Sequence, residues 1–396
     1  MSDKVGTIVR GVRAPIIRQG DDLAQIVVDS VLEAGAAEGF EFHDRDVVAV
    51  TEAVVARAQG NYATIDQIAK SVKSLFPTGE FGLVFPILSR NRFAVCLRGI
   101  ARGAKKITLM LSYPSDEVGN HLVELDMLDE AGVNPWTDVL TADEFRSKFG
   151  VVKHTFTGVD YIEYYTSIIE SEGTEVEVIF ANGVKTILNY TKNVLCCDIH
   201  SRERSKRILK ANGAEAVYGL DDILASPVDG SGFNADYGLL GSNKATDETV
   251  KLFPRDCADF VGDVYAKLKK ATGKNIEVMV YGDGAFKDPV GKIWELADPI
   301  VSPAHTPGLL GTPNELKLKY LADNDFAGLS GDDLKNAIKK SIREKASDLK
   351  GSMATQGTTP RRLTDLLGSL SDLTSGSGDK GTPIVLIQNY FNSYAD

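Results

Sequence analysis

Apolar residues fall along this chain in two alternating arrangements, short β-branched runs and stretches with helical spacing. A run at 6–10 reads as an opening strand. Asp21 and Asp22 suit the first turn of a following helix that carries Leu23, Ile26, Val27 and Val31 on one face and stops at Gly35. The continuous run 46–55 predicts a strand buried on both faces, halted by Gln59-Gly60-Asn61. Thr64 then caps a helix over 65–75, closed by Pro77. Residues 81–88 read as strand, 91–104 as helix and 106–112 as strand, which is the alternation of a parallel-sheet architecture.

The middle of the chain continues in the same vein. Thr141 and Glu144 form a capping box ahead of Phe145. Residues 173–190 predict a hairpin turning at Ala181-Asn182-Gly183. Strand 192–198, a basic helix over 201–211 and a short strand at 216–217 make a βαβ unit. The patch 226–232, rich in Ser, Pro, Asp and Gly, marks a joint. Beyond it come a helix over 256–272 ending in Gly273, a strand over 276–280, a proline-rich loop over 299–313 and a helix from Ser330 to about 346. Thr359-Pro360 supplies an N-cap with Pro at N1 for a helix through 373, and 383–388 is a closing strand. The fold class expected is α/β, mixed α+β.

Composition narrows the function. The chain has 396 residues, enough for two or three cores, and a net charge of −11 without any Lys/Arg block, which disfavours nonspecific nucleic-acid binding. The four cysteines form no CxxC pair and no run could span a bilayer, so a cytoplasmic protein with reduced thiols and no membrane partner is expected. HExxH and GxSxG are missing, and the βαβ unit at 192–217 carries no GxGxxG, which removes support for a zinc centre, a serine nucleophile and a Rossmann loop there. The aromatic cluster Tyr161, Tyr164 and Tyr165 reads as core or subunit interface.

One pattern points to chemistry. Asp283 stands between Gly282 and Gly284 straight after the 276–280 run, where an acid at a strand's carboxyl end can reach a ligand and flanking glycines let N–H groups approach phosphate. A second glycine-rich turn runs from Gly376 through Gly378 to Gly381. Phosphoryl transfer needs carboxylates for a cation and positive groups for phosphate, and Asp283, Asp236 and Asp379 are candidates for the first, Lys287, Lys292 and Lys380 for the second. Tight turns, solvated lysines and an Asx turn at Asp379 are the ordinary readings of the same residues.

Four stretches together resemble the coenzyme F-420-0:L-glutamate ligase (gamma-glutamyl ligase) family: 18–24 with its Gly-Asp-Asp-Leu-Ala, 50–60, the pair 234–243 with 280–287, and 376–383 with the strand after it. The resemblance implies a homodimeric α/β enzyme in which GTP and Mg²⁺ or Mn²⁺ activate a substrate carboxylate for attack by the amino group of L-glutamate or a related amine. It implies Asp283 as a metal ligand, with Asp236 and Asp379 as further candidates, and Lys287 as the catalytic cation. Gly20, Asp21, Ser242, Asn243, Gly376, Gly378 and Lys380 become candidate nucleotide-binding positions. The likeness skips the middle, so a two-lobed chain is expected, with 1–91 and 232–396 forming a discontinuous ligase-like domain and 92–231 an inserted α/β subdomain. The alternative is a non-catalytic or regulatory protein that binds a metabolite or nucleotide on the same scaffold.

Overall fold

The computed structural model describes residues 5–284, 297–349, 351–355, 361–375 and 378–396. Their fold is mixed α/β with three sheets. A five-stranded sheet runs in the order Ile8–Val12, Ile384–Gln388, Val47–Thr51, Glu277–Tyr281, Ala304–His305. Its central pair, Val47–Thr51 and Glu277–Tyr281, is parallel with Thr51 opposite Tyr281, and the other pairings are antiparallel. Val47 to Val50 and Val278 to Val280 are buried on both faces, as the unbroken apolar runs require. The helices Leu23–Glu38 and Cys257–Thr272 pack together on one face, and Leu363–Ser375 covers the other.

A six-stranded sheet takes its strands from residues 80 to 219, in the order Leu140–Thr141, Glu175–Phe180, Lys106–Leu111, Glu80–Val84, Asn193–Cys196, Ala216–Gly219. All are parallel except the edge strand Leu140–Thr141. The βαβ unit read at 192–217 is present as Asn193–Cys196, the helix Arg202–Ala211 and Ala216–Gly219. A small antiparallel sheet of Asn243–Lys244, Thr249–Lys251 and Tyr62–Thr64 completes the fold.

Local signals held where capping chemistry defined them. Thr64 and Gln67 close a capping box on Ile65–Leu75, and Thr141 and Glu144 do the same for Ala142–Phe149. Asp22 caps Leu23–Glu38 by accepting the Gln25 N–H at 3.0 Å. The N-cap expected at Thr359-Pro360 lies outside the described residues; the helix there is Leu363–Ser375.

Two readings are corrected. The run 46–55 is a strand only to Thr51, and Glu52–Ala58 is helix. Period alone cannot separate a buried strand from a buried helix in a short apolar stretch, and Glu52 at the first helical position is where the chain changes direction. Residues 173–190 are not a hairpin: after Glu175–Phe180 the chain turns through Asn182 into a 3₁₀ helix, Val184–Asn189. The Asn182 side chain is engaged with the backbone of Tyr113 and Pro135, which anchors a crossover instead of a two-residue turn. Tyr161 meets Tyr164 and Tyr165 edge-on in or against the core, with the Tyr165 hydroxyl donating to the Ile87 carbonyl at 2.6 Å.

Candidate active site

Several chain ends of the five-stranded sheet meet at one edge. Val47–Thr51 and Glu277–Tyr281 terminate there, Ile8–Val12 terminates beside them, and the antiparallel strand Ile384–Gln388 begins there, with the Thr51 N–H on the Pro383 carbonyl at 3.0 Å. Loops leaving that edge enclose a cleft of about 500 Å³. Its apolar lining comes from residues 14–17, Ala53, Val54 and Pro383. The lining also carries four carboxylates, Glu52, Asp283, Asp298 and Asp372, and three cations, Arg57, Arg92 and Lys251.

The charges are organised around two pairs. Arg92, on the turn before the helix Ala94–Arg102, reaches from the six-stranded sheet and grips both aspartates, Nη2 to Asp283 Oδ2 at 2.6 Å and Nη1 to Asp298 Oδ1 at 2.7 Å. Burial alone would lower its affinity for a proton, but Asp298, Asp283 and Glu52 outweigh that and hold the guanidinium firmly charged. Lys251, from the small sheet, places its ammonium 2.8 Å from both oxygens of Glu52. Burial pushes the Glu52 carboxyl above the ordinary carboxylate range; Lys251 and Arg92 oppose the shift and Asp298 adds to it.

The glycines flanking Asp283 have a structural use different from the one expected. A Cβ on Gly282 would lie 2.3 Å from Asp298 Oδ2, and one on Gly284 would lie 2.9 Å from the Ser369 backbone and 3.1 Å from Asp372 Oδ2. Their absence lets two carboxylates approach the strand end, where Asp298 accepts the Asp283 N–H at 2.8 Å and Asp372 accepts the Gly284 N–H at 2.9 Å. The N–H groups anticipated for phosphate are therefore engaged by carboxylates. Burial raises the Asp372 carboxyl, with the Gly284 N–H and Arg92 pulling it down and Asp298 pushing it up.

Of the residues singled out in the sequence, Asp283, Asn243 and Gly378 line this cleft. Gly282 and Gly381 line it too, and the other described candidates lie elsewhere. Gly20 sits at φ +87° with its N–H on the Ala58 carbonyl, and the Asp21 carboxylate turns back to the Arg18 N–H at 2.6 Å, so both serve the turn before a helix. Asp236 is exposed on the 234–238 turn, held there by Asn234. Ser242 is buried with its hydroxyl 3.1 Å from the Cys96 sulfur, whose thiol burial pushes up to about 11. Asp379 and Lys380 are exposed on the tip of the second turn, which is fixed by the Ala14 N–H on the Gly381 carbonyl, and they do not line the cleft. Lys287, Lys292 and Gly376 lie outside the described residues.

The sequence reading missed Glu52, Arg92, Lys251, Asp298 and Asp372. Glu52 had a signal, since an acid closing an apolar strand run breaks the pattern. Asp298 had a weaker one in its place just before the proline-rich loop. Arg92, Lys251 and Asp372 come from distant segments and carried none.

The sequence profile of the F420-0:Gamma-glutamyl ligase family matches residues 11–389. The chain belongs to that family. It is accordingly an enzyme of the ligase class acting on a small-molecule carboxylate. No curated protein matches the chain. The matched span contains every residue of the ligase's cleft wall named above, from Ala14 to Pro383. Among the described residues no helix is long and apolar enough to cross a membrane, and no group of three or more His, Cys, Asp or Glu side chains is set to hold a metal ion.

Proposed function

We propose that the cleft binds GTP with Mg²⁺ or Mn²⁺ and joins a substrate carboxylate to the amino group of L-glutamate or a related amine. The observation that carries this reading is the convergence of Asp283 and Asp298 on one positive group at a parallel strand edge, with Arg57 and Lys251 lining the same cleft. An open α/β sheet binds ligands outside the carboxyl ends of its strands, and hard divalent cations prefer oxygen donors. The donor set fits such a cation, because every candidate ligand on the wall is a carboxylate. Asp283 and Asp298 would hold it, and when bound it would offset charge building on the transferred phosphoryl oxygens.

In the proposed reaction a substrate carboxylate oxygen takes the terminal phosphoryl group of GTP, releasing GDP. The amine then attacks the carbonyl carbon, inorganic phosphate leaves and the amine gives up a proton, leaving an amide. Arg57, Lys251 and Arg92 supply positive charge towards the phosphates, and the apolar lining excludes water from the acyl phosphate. Lys287 as a catalytic cation and Gly376 in the second turn stay within the proposal as positions outside the described residues. So do the cytoplasmic location, supported by four free, buried cysteines, and the homodimer, which light scattering would test.

Calorimetry of GTP in the presence of Mn²⁺ tests the reading. The wild type is expected to bind, and Asp283→Ala to lose at least about ten-fold in affinity, the usual cost of one charge-assisted contact. Equal heats for the two proteins would overturn it.

A further inference from the structure

We propose that Arg92 is an internal counter-ion that competes with the divalent cation for Asp283 and Asp298, and that metal loading hands its guanidinium over to the nucleotide phosphates. This rests on the nucleotide and metal reading of the cleft and adds a coupling between the two ligands.

The geometry separates the aspartate pair from the arginine that bridges it. Arg92 spends one arm on each of two different carboxylates, so it straddles them and does not form a fork with either. Asp298 is positioned without Arg92: its second oxygen is held by the Asp283 N–H at 2.8 Å, through the gap that Gly282 leaves, and its side chain is 1% exposed. Withdrawing the guanidinium therefore leaves Asp298 already fixed on the strand edge beside Asp283.

Apart from the two aspartates, the hydrogen-bonding anchors of Arg92 are on its backbone. It sits on a turn outside both large sheets, where its own N–H donates to the Ser89 hydroxyl at 3.1 Å and its carbonyl lies 3.3 Å from the Cys96 sulfur. Those anchors hold the backbone and leave a long side chain to swing about its own torsions. Asp283 and Asp298 would offer a divalent cation the same oxygens that hold the guanidinium, while the phosphates of a nucleotide would offer the anionic oxygens that an arginine fork matches best. Lys251 is paired with Glu52, so of the cleft's cations Arg92 is the one that ties up the aspartate pair. Metal and nucleotide then assist one another, because each stabilises the arrangement the other needs.

The test uses the full chain with two probes, Mn²⁺ alone followed by electron paramagnetic resonance, and GTP at saturating Mn²⁺ followed by calorimetry. Arg92→Gln is expected to bind Mn²⁺ alone about ten-fold more tightly than wild type and to bind GTP about ten-fold more weakly, a coupling of ordinary size. A residue that only bridged the two sheets would not move the two affinities in opposite directions. Arg92→Lys keeps the charge and loses the two-armed bridge between the carboxylates, so it should fall between the two for Mn²⁺, and it decides the matter if Arg92→Gln does not fold. Mn²⁺ affinity unchanged or weakened in the variants, with wild type still binding GTP and Mn²⁺, overturns the inference and leaves the cleft reading intact. Wild type binding neither Mn²⁺ nor GTP removes both.

Discussion

Removing Lys251 tests the electrostatic account of the cleft wall most directly. Its ammonium is 2.8 Å from both Glu52 oxygens, and the two side chains are 11% and 6% exposed, so Lys251→Met leaves a carboxylate with almost no access to water. Breaking a buried pair on one side costs about 3–5 kcal/mol, because the remaining charge keeps its desolvation penalty. The loss has a second route: Glu52 takes up a proton, at about 1.4 kcal/mol for each pH unit above its folded-state pKa. Burial already raises that pKa and Lys251 opposes the rise, so the substitution lifts it further. A carboxyl whose folded pKa lies above its unfolded value contributes most below the unfolded pKa, and the contribution is lost as pH rises through the folded one. Lys251→Met should therefore be strongly destabilised at pH 8 and recover towards wild type at pH 5, by urea denaturation. The double variant Glu52→Gln/Lys251→Met should recover much of the loss at pH 8, since no charge is left buried. A loss that is the same at both pH values, or a double variant no better than the single, would refute the reasoning.

Two further outcomes follow from the same geometry. Gly282→Ala places a methyl 2.3 Å from Asp298 Oδ2, so Asp298 must leave the strand edge; Mn²⁺ affinity should fall about ten-fold or more while overpacking costs about 1–3 kcal/mol of stability, and unchanged Mn²⁺ binding would contradict the placement of Asp298. Away from the cleft, burial pushes the Asp116 carboxyl up to about 6 against N–H donors from Leu88, Val118 and Asn120, so its stabilising contribution is full below about pH 4 and fades as pH rises through 6. Carbon NMR of the Asp116 carboxyl should titrate with a midpoint near 6, and a midpoint in the ordinary carboxylate range would show that the hydrogen bonds win over burial.

What could be read along the chain was what short stretches decide by themselves. The capping pairs Thr64 with Gln67 and Thr141 with Glu144, the apolar runs at 47–50 and 278–280, and the βαβ unit around Arg202–Ala211 each rest on interactions within a few residues, and each is present. Asp283 was legible because a strand followed by Gly-Asp-Gly places an acid at a sheet edge whatever lies opposite. The end of the strand at Thr51 was not, because a short buried run satisfies a strand and a helix alike until packing chooses. The charged wall was beyond any local signal: Glu52, Arg92, Lys251, Asp298 and Asp372 are brought together by the parallel pairing of Val47–Thr51 with Glu277–Tyr281 and by the approach of the six-stranded and small sheets. Electrostatic pairing acts through space and leaves no period in the chain, so the sequence by itself determined the strands and the acid at their edge. Only the tertiary structure decided which charges would face it.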